Sequence, residues 1–98
     1  MWYAIISEDV SNSLALRAGA REPQLARERE VVDEGRVLVA APHPAIDSED
    51  PGEVGFTGSL VVIDCPSLED AKEWADADPY VASGVYEKVT VKPFKCVL

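Results

Sequence analysis

Residues 56–78, FTGSLVVIDCPSLEDAKEWADAD, hold a strand and a helix separated by a short break. The β-branched and aromatic residues of segment 56–64 predict a strand, and Pro66 ends it. Ser67 and Asp70 have the spacing of a capping box, with Asp in place of the usual Glu. Apolar side chains then recur at helical intervals up to about residue 77, at Leu68, Ala71, Trp74 and Ala75.

The first half of the chain has the same order of elements. Residues 2–7 are bulky and apolar, residues 14–34 are rich in Leu, Ala, Arg and Glu, and residues 36–41 (RVLVAA) are apolar again. Because a proline costs a helix interior about 3 kcal/mol but suits its first turn, Pro23 predicts two helical pieces, the longer one starting near it. Gly35 stands where a C-terminal helix cap is expected.

Side-chain patterns on these elements predict which faces are buried. Leu25 and Val32 are seven residues apart and predict the buried face of the first helix, while the alternating Arg and Glu of segment 21–30 predict a solvated face. Pro42 is expected to end the second strand, because proline removes a ladder donor. Segment 45–55 is acidic, contains a Pro-Gly turn and predicts a surface loop.

A fourth strand is predicted at residues 86–91 (YEKVTV), after a short helix capped by Asp78. The order β-α-β-β-α-β predicts one α+β domain over residues 1–98, a ferredoxin-like antiparallel sheet with both helices on one face. The other face keeps apolar side chains such as Trp2 and Leu60. Since a bare apolar face of this size is not expected on a monomer, we expect a homodimer with the two sheets packed face to face.

Composition excludes several classes of function. Among 98 residues, 18 are acidic and nine are basic, and the net charge of −9 argues against binding to a phosphate backbone. No apolar run reaches the 18–20 residues or so of a membrane span. Cys65 and Cys96 have only His43 as a further ligand, so no structural zinc site is expected. Residues 1–6 lack the basic start of a secretion signal, so we expect a cytoplasmic protein with reduced thiols.

The sequence as a whole resembles the YciI (YCII-related) family in collinear order over nearly its full length. This resemblance is carried by Tyr3–Ile6 with Glu8-Asp9, and by SLALR (13–17), REPQLAR (21–27), DEGR (33–36), PAIDSEDPG (44–52), GFTGSL (55–60), WADADPYV (74–81), GVY (84–86) and VKPFK (91–95). It implies a small dimeric α+β barrel of ferredoxin-like fold. It also implies a His–Asp pair, and relatives that act as dehydrochlorinase- or isomerase-type enzymes on small aromatic or lactone compounds.

Three candidate catalytic residues follow from the resemblance. Asp78 stands at the Asp of the family's Asp-Pro-Tyr motif and is predicted to handle a proton, although it would also simply N-cap the short helix. Gln24 stands at the family's His position, where an amide cannot be a base but can orient a substrate; the alternatives are a solvated helix residue or a lapsed active site. His43 is the one imidazole and a candidate replacement for the missing His; the alternative is a solvent-exposed loop residue. Glu28 stands where the family often has an apolar residue.

Four further side chains are predicted to bind the substrate. They are Arg17, Arg21, Ser59 and Tyr80. The arginines suit an anionic group, or alternatively form salt bridges with Glu22 or the acidic loop. Ser59 has no nucleophile elbow around it and is expected to donate a hydrogen bond rather than attack.

Three functions remain open from the sequence. The first is a cofactor-free lyase- or isomerase-type enzyme that acts on a small organic substrate, with Asp78 in proton transfer and no metal. The second is a catalytically silent binding or accessory module, which the loss of the family's His at Gln24 favours. The third is a purely structural dimerisation domain for another enzyme.

Overall fold

Four antiparallel strands and three helices form two layers in the computed structural model, which describes residues 1–98. The elements are β1 (Trp2–Asp9), α1 (Leu14–Asp33), β2 (Val37–Pro44), a 3₁₀ turn (Gly52–Val54), β3 (Phe56–Asp64), α2 (Leu68–Asp76), α3 (Pro79–Ala82) and β4 (Tyr86–Phe94). The strand order is β2-β3-β1-β4, and neighbouring strands are antiparallel. The helices pack on one face of the sheet, so the predicted ferredoxin-like arrangement is confirmed.

Helix α1 is continuous over 20 residues and contains Pro23 in its interior, so the predicted division into two pieces is wrong. Pro23 removes one helical N–H. Before the proline, however, the Arg17 side chain is hydrogen-bonded to β1, and after it the Gln24 side chain is hydrogen-bonded to the turn before α3. These tertiary contacts offset the local penalty. Gly35 follows the helix with φ of +72°, as its predicted capping role requires. None of the helices combines the length and the apolar composition needed to cross a bilayer.

Strand β2 runs through Pro42 and His43 to Pro44, so the prediction that Pro42 ends it is wrong. The reason is its position, because β2 is an edge strand that pairs only with β3. At a sheet edge the missing N–H of a proline leaves no ladder partner unsatisfied. Pro42 lies opposite Ser59, and His43 lies opposite Gly58.

The core between helices and sheet is apolar, but the buried stripe of α1 is partly polar. Core side chains include Tyr3, Ile5, Val61, Ile63, Val31, Ala71 and Ala75. On α1 the buried residues are Arg17, Ala20, Gln24 and Val31. Val32 is 54% exposed, so the predicted inward face through Leu25 and Val32 is wrong. The helix is rotated instead to bury an arginine and a glutamine, each of which donates hydrogen bonds inside the protein.

The second face of the sheet carries apolar side chains without helices over them. Ala4 and Val62 lie opposite each other at its centre and are buried, while Trp2, Ile6 and Leu60 are half-buried. Val39 and Phe94 extend the apolar surface to both edge strands and are exposed. The homodimer inferred from this face stays a prediction.

Candidate functional site

A cavity of about 410 Å³ lies between α1 and the edge formed by β2 and β3. Its volume falls within the range of small-molecule sites. Side chains of α1 line one wall at intervals of three and four residues, from Leu14 to Glu28. The opposite wall is mostly apolar and includes Pro42, Phe56 and Val61, with Ser59 as its polar residue. Most of the polar groups therefore come from α1 and α3, and the strands supply mainly the shape.

One end of the cavity is built on a buried ion pair. Arg17 donates from Nε to Oδ2 of Asp9 at 2.6 Å and from Nη2 to Oδ1 at 2.9 Å. Nη2 also donates to the Gly58 carbonyl and to Oγ of Ser59, both at 3.0 Å. Burial lowers the pKa of Arg17, but the hydrogen bonds and charge of Asp9 outweigh it and raise that pKa overall. The salt bridge expected with Glu22 or the acidic loop is formed with Asp9 instead.

Aromatic rings surround the Arg17 guanidinium. Its central carbon lies 5.3 Å from the ring centroid of Phe56, 5.1 Å from that of Tyr80 and 6.0 Å from that of Tyr86. The Tyr86 hydroxyl donates to Oγ of Ser59 at 3.0 Å, and burial raises the pKa of Tyr86 to about 12. Ser59 thus accepts from both Arg17 and Tyr86, and its predicted donation to a ligand stays a prediction.

The other end of the cavity is a carboxyl–amide–carboxyl cluster. Nε2 of Gln24 donates to Oδ2 of Asp78 at 3.0 Å and to Oε1 of Glu28 at 3.2 Å. Oδ1 of Asp78 accepts from the Tyr80 N–H at 2.8 Å, so Asp78 also caps α3. Arg27 Nη1 lies 3.5 Å from Oδ2 of Asp78 as an ion pair. Asp78 therefore caps the helix and reaches Gln24, and its role in proton transfer stays a prediction.

Gln24 leaves one polar atom without a partner. Its side chain is buried, and its Oε1 has no hydrogen-bond donor. Turning the amide would lose both of its hydrogen bonds and place this oxygen against the carboxyl oxygens of Asp78 and Glu28. An unsatisfied buried carbonyl costs about 1–3 kcal/mol. Gln24 lines the cavity, but Oε1 is almost completely covered, so a ligand donor reaches this oxygen only if a neighbouring side chain moves.

Glu28 is a site residue to which the sequence assigned no role. It is half-buried and lines the cavity. Burial raises the pKa of its carboxyl, and the nearby charge of Asp78 adds to this, while the Gln24 hydrogen bond and the charges of Arg27 and Arg17 act against it. The net direction is upward. The only signal in the sequence is spacing, because Glu28 follows Gln24 by four residues on one helical face.

Most of the predicted site residues come together, and one does not. The predicted residues that line the cavity are Arg17, Arg21, Gln24, Ser59 and Tyr80. Asp78 lies behind Gln24 and contacts the cavity only through it. His43 is exposed and lies opposite Gly58, on the second face of the sheet, because Pro42 beside it faces the cavity and strand side chains alternate.

Comparison with known proteins identifies close relatives and a structural neighbour. The YCII-related domain family matches residues 1–95. Protein YciI of Escherichia coli O6:H1 is 57% identical over 97 residues, and an uncharacterized protein of Haemophilus influenzae is 50% identical, each match covering 99% of both chains. The 5-chloro-2-hydroxyhydroquinone dehydrochlorinase of Burkholderia phenoliruptrix, solved with 2,5-dihydroxybenzoquinone, has a TM-score of 0.84 at 20% identity, over 97% of this chain and 94% of the other. The last match supports the fold alone.

Proposed function

Because this chain belongs to the YCII-related domain family, we propose that it is a cofactor-free lyase- or isomerase-type enzyme acting on a small organic substrate. The observation that carries the proposal is the cluster of Gln24 with Asp78 and Glu28 at one end of the cavity. Convergent polar groups in a mostly apolar cavity are typical of a catalytic site.

The residues that line the cavity also favour a particular class of substrate. Its apolar walls suit a small ring, and its polar end suits hydroxyl and carbonyl groups. The dehydrochlorinase of similar fold was solved with 2,5-dihydroxybenzoquinone, a compound of this size and polarity. For this chain we propose a small cyclic compound that carries hydroxyl and carbonyl oxygens.

Asp78 enters the proposal through its contacts. Its two carboxylate oxygens already accept from the Tyr80 N–H and the Gln24 amide, and Arg27 lies nearby. A substrate proton can reach Asp78 only if the Gln24 amide moves aside. We therefore assign Asp78 first to holding Gln24, and its predicted proton transfer is decided by the variant Asp78→Asn.

The second candidate function is a binding module without catalysis. It is favoured by Gln24 itself, because an amide at the family's His position cannot accept a proton at any accessible pH. This candidate predicts ligand binding in the same cavity without any change in the ligand.

Deuterium exchange tests the proposed function without a known substrate. Wild-type protein in D₂O is incubated with 2,5-dihydroxybenzoquinone, hydroxylated lactones and α-hydroxycyclohexanone, and ¹H NMR follows binding and the loss of C–H signals. We expect enzyme-dependent exchange in at least one compound. Ala18→Phe fills the cavity and is expected to abolish binding and exchange, whereas Ala26→Phe, on an exposed part of α1, retains both.

The outcomes separate the two candidates. Exchange blocked by Ala18→Phe supports the enzyme, and binding without exchange supports the silent module. If Asp78→Asn leaves exchange unchanged, Asp78 does not carry the proton. Absence of both binding and exchange contradicts a small-molecule site in this cavity.

The homodimer is part of the same proposal, with the second face of the sheet as its interface. Sedimentation at micromolar concentration is expected to give twice the mass of one chain. Leu60→Lys places a charge on this face and is expected to give monomers, whereas Val54→Lys, in the exposed 3₁₀ turn, does not. A wild-type protein that sediments as one chain contradicts the interface.

A further inference from the structure

We propose that Glu28 is the catalytic residue that exchanges a proton with the substrate, and that the Gln24 carbonyl oxygen selects substrates with a hydroxyl donor. The inference rests on the proposed function, which places a proton transfer in this cavity. It goes further by naming the carboxyl group that carries the proton and the substrate class, a hydroxylated, enolisable carbonyl compound.

The first argument is the access of each carboxylate to the cavity. Glu28 lines the cavity, and Gln24 occupies only its Oε1, which leaves Oε2 for a ligand. Asp78 does not line the cavity, and both of its oxygens accept hydrogen bonds. Of the two carboxylates held by Gln24, only Glu28 presents an unoccupied oxygen to a bound molecule.

The second argument is the electrostatic surroundings of Glu28. Burial raises the pKa of this carboxyl, and Asp78 adds to the effect. A carboxylate with a raised pKa is a stronger base for a carbon acid at neutral pH. The strand residues that line the cavity bring no ionisable group to Glu28. The ionisable groups that face it come from α1 and from the start of α3, and they are Arg17, Arg21, Arg27, Asp78 and Tyr80.

The proton transfer is balanced within the substrate and the protein. Glu28 takes a proton from a carbon next to the substrate carbonyl, the C–H bond breaks, and its electron pair stays on the substrate as an enolate. Tyr80 lines the cavity, and burial raises its pKa, so its hydroxyl keeps its proton and can donate to the enolate oxygen. In an α-hydroxy ketone deprotonated at its hydroxyl-bearing carbon, the hydroxyl proton passes to the former carbonyl oxygen and Glu28 returns its proton to the former carbonyl carbon. The carbonyl and hydroxyl groups thereby exchange places, with no net oxidation or reduction.

The third argument is the unpartnered oxygen of Gln24. Its amide group is held by the two carboxylates, and Oε1 is almost completely covered, so a ligand that reaches it by moving a neighbouring side chain meets a pure acceptor. A ligand hydroxyl satisfies it, whereas an ether oxygen at the same place repels it. Leaving a buried polar group unpaired penalises the wrong ligand more than pairing rewards the right one. The site therefore distinguishes a hydroxyl group from its methyl ether.

The decisive experiment compares Glu28→Gln and Glu28→Asp with Glu22→Gln, an exposed glutamate of α1 outside the cavity. Exchange is measured from pH 4 to 9 for each panel compound that the wild type exchanges, and affinity is measured by NMR titration. We expect Glu28→Gln to lose at least about 100-fold in exchange rate with affinity within about threefold, because a general base contributes about that much. Glu28→Asp is expected to restore part of the rate, and Glu22→Gln to match the wild type.

Two further readouts test positioning and selection. The wild-type exchange rate is expected to rise with pH, with a midpoint above the ordinary pKa range of glutamate. Gln24→Leu is expected to move this midpoint upward, because it removes a hydrogen bond that lowers the pKa of Glu28. Each hydroxy compound that binds is expected to bind at least about tenfold better than its O-methyl ether, such as α-hydroxycyclohexanone against α-methoxycyclohexanone.

The outcomes keep this inference distinct from the proposed function. If the wild type exchanges and Glu28→Gln exchanges equally fast, the role of Glu28 is overturned while the enzyme assignment stands. If the wild type exchanges no compound, the proposed function fails and the inference fails with it. Equal affinity for a hydroxy compound and its methyl ether overturns the role given to Gln24.

Discussion

Removing the Arg17 side chain while Asp9 remains is expected to destabilise the protein severely. The Asp9 side chain is 1% exposed and that of Arg17 is 9% exposed, so Arg17→Met leaves a carboxylate buried without its cation. Breaking a buried pair in this way costs about 3–5 kcal/mol. With about 2.1 cal/mol/K of unfolding entropy per residue, 98 residues give about 0.2 kcal/mol/K, so Tm falls by about 15–25 °C.

A matched control lies one residue away on β1. Glu8 pairs with Lys88 at 3.8 Å, but both side chains are more than half exposed, and Lys88→Met is expected to lower stability by about 0.5 kcal/mol or less. Both variants are compared with the wild type by circular dichroism during heating and in urea, at one protein concentration because a dimer's Tm depends on it. Asp9→Asn in the Arg17→Met background is expected to recover part of the loss. The reasoning is refuted if Arg17→Met and Lys88→Met lower Tm equally.

Four further substitutions are expected to alter stability in measurable ways. Gly58→Ala drives a Cβ into the Ser7 carbonyl oxygen and should lose at least about 2 kcal/mol in urea unfolding, whereas Gly19→Ala, with nothing within 4 Å in the α1 interior, should gain up to about 1 kcal/mol. Ser67→Ala removes the 3.1 Å cap of α2 and should lower Tm by about 5 °C, equivalent to about 1 kcal/mol; an unchanged Tm contradicts the cap. Because the pKa of Glu28 is raised in the folded state, its contribution to stability is fully present below about pH 4.5 and is lost as pH rises through the folded-state pKa. The free energy of unfolding of the wild type, relative to that of Glu28→Gln, should therefore fall between pH 4 and 7. A difference independent of pH contradicts that shift.

The order of the elements was predictable because it depends on local signals. Segment 56–64 has the bounds of β3, since its apolar run and the proline after it act within a few residues. Ser67 caps α2 as predicted, and Gly35 follows α1 in the left-handed conformation. Periodicity, caps and glycines therefore determine which elements form and where most of them end.

The errors arose where distant contacts overrule local preference. Pro23 remains inside α1 because side chains on both sides of it are anchored elsewhere in the fold. Pro42 remains inside β2 because this strand lies at the sheet edge. Neither the anchoring nor the edge position is encoded in residues adjacent to the proline, so no local pattern predicts them.

Five of the seven predicted site residues line the cavity, but the partners of these side chains were not predicted. Arg17, Gln24 and Glu28 are seven and four residues apart, which is helical spacing, but a search for an apolar stripe passes over them. Polar residues are ordinarily assigned to solvent, and only their buried partners show otherwise. Asp9 is such a partner, and it is the last residue of β1, with no sequence feature that marks it as half of a buried ion pair.

Arg17, Gln24 and Glu28 form a polar stripe along α1, and the two ends of this stripe differ in how completely their hydrogen bonds are satisfied. At the Arg17 end, both oxygens of Asp9 accept from the guanidinium, whose remaining bonds go to Gly58 and Ser59, so that end is explained by stability alone. At the Gln24 end a buried carbonyl oxygen has no donor, and Glu28 is half-buried with an upward-shifted pKa. Stability alone favours apolar side chains there. A ligand-binding site is expected to contain polar groups that lack partners until the ligand binds. We therefore place the chemistry at the Gln24 end, beside the cavity.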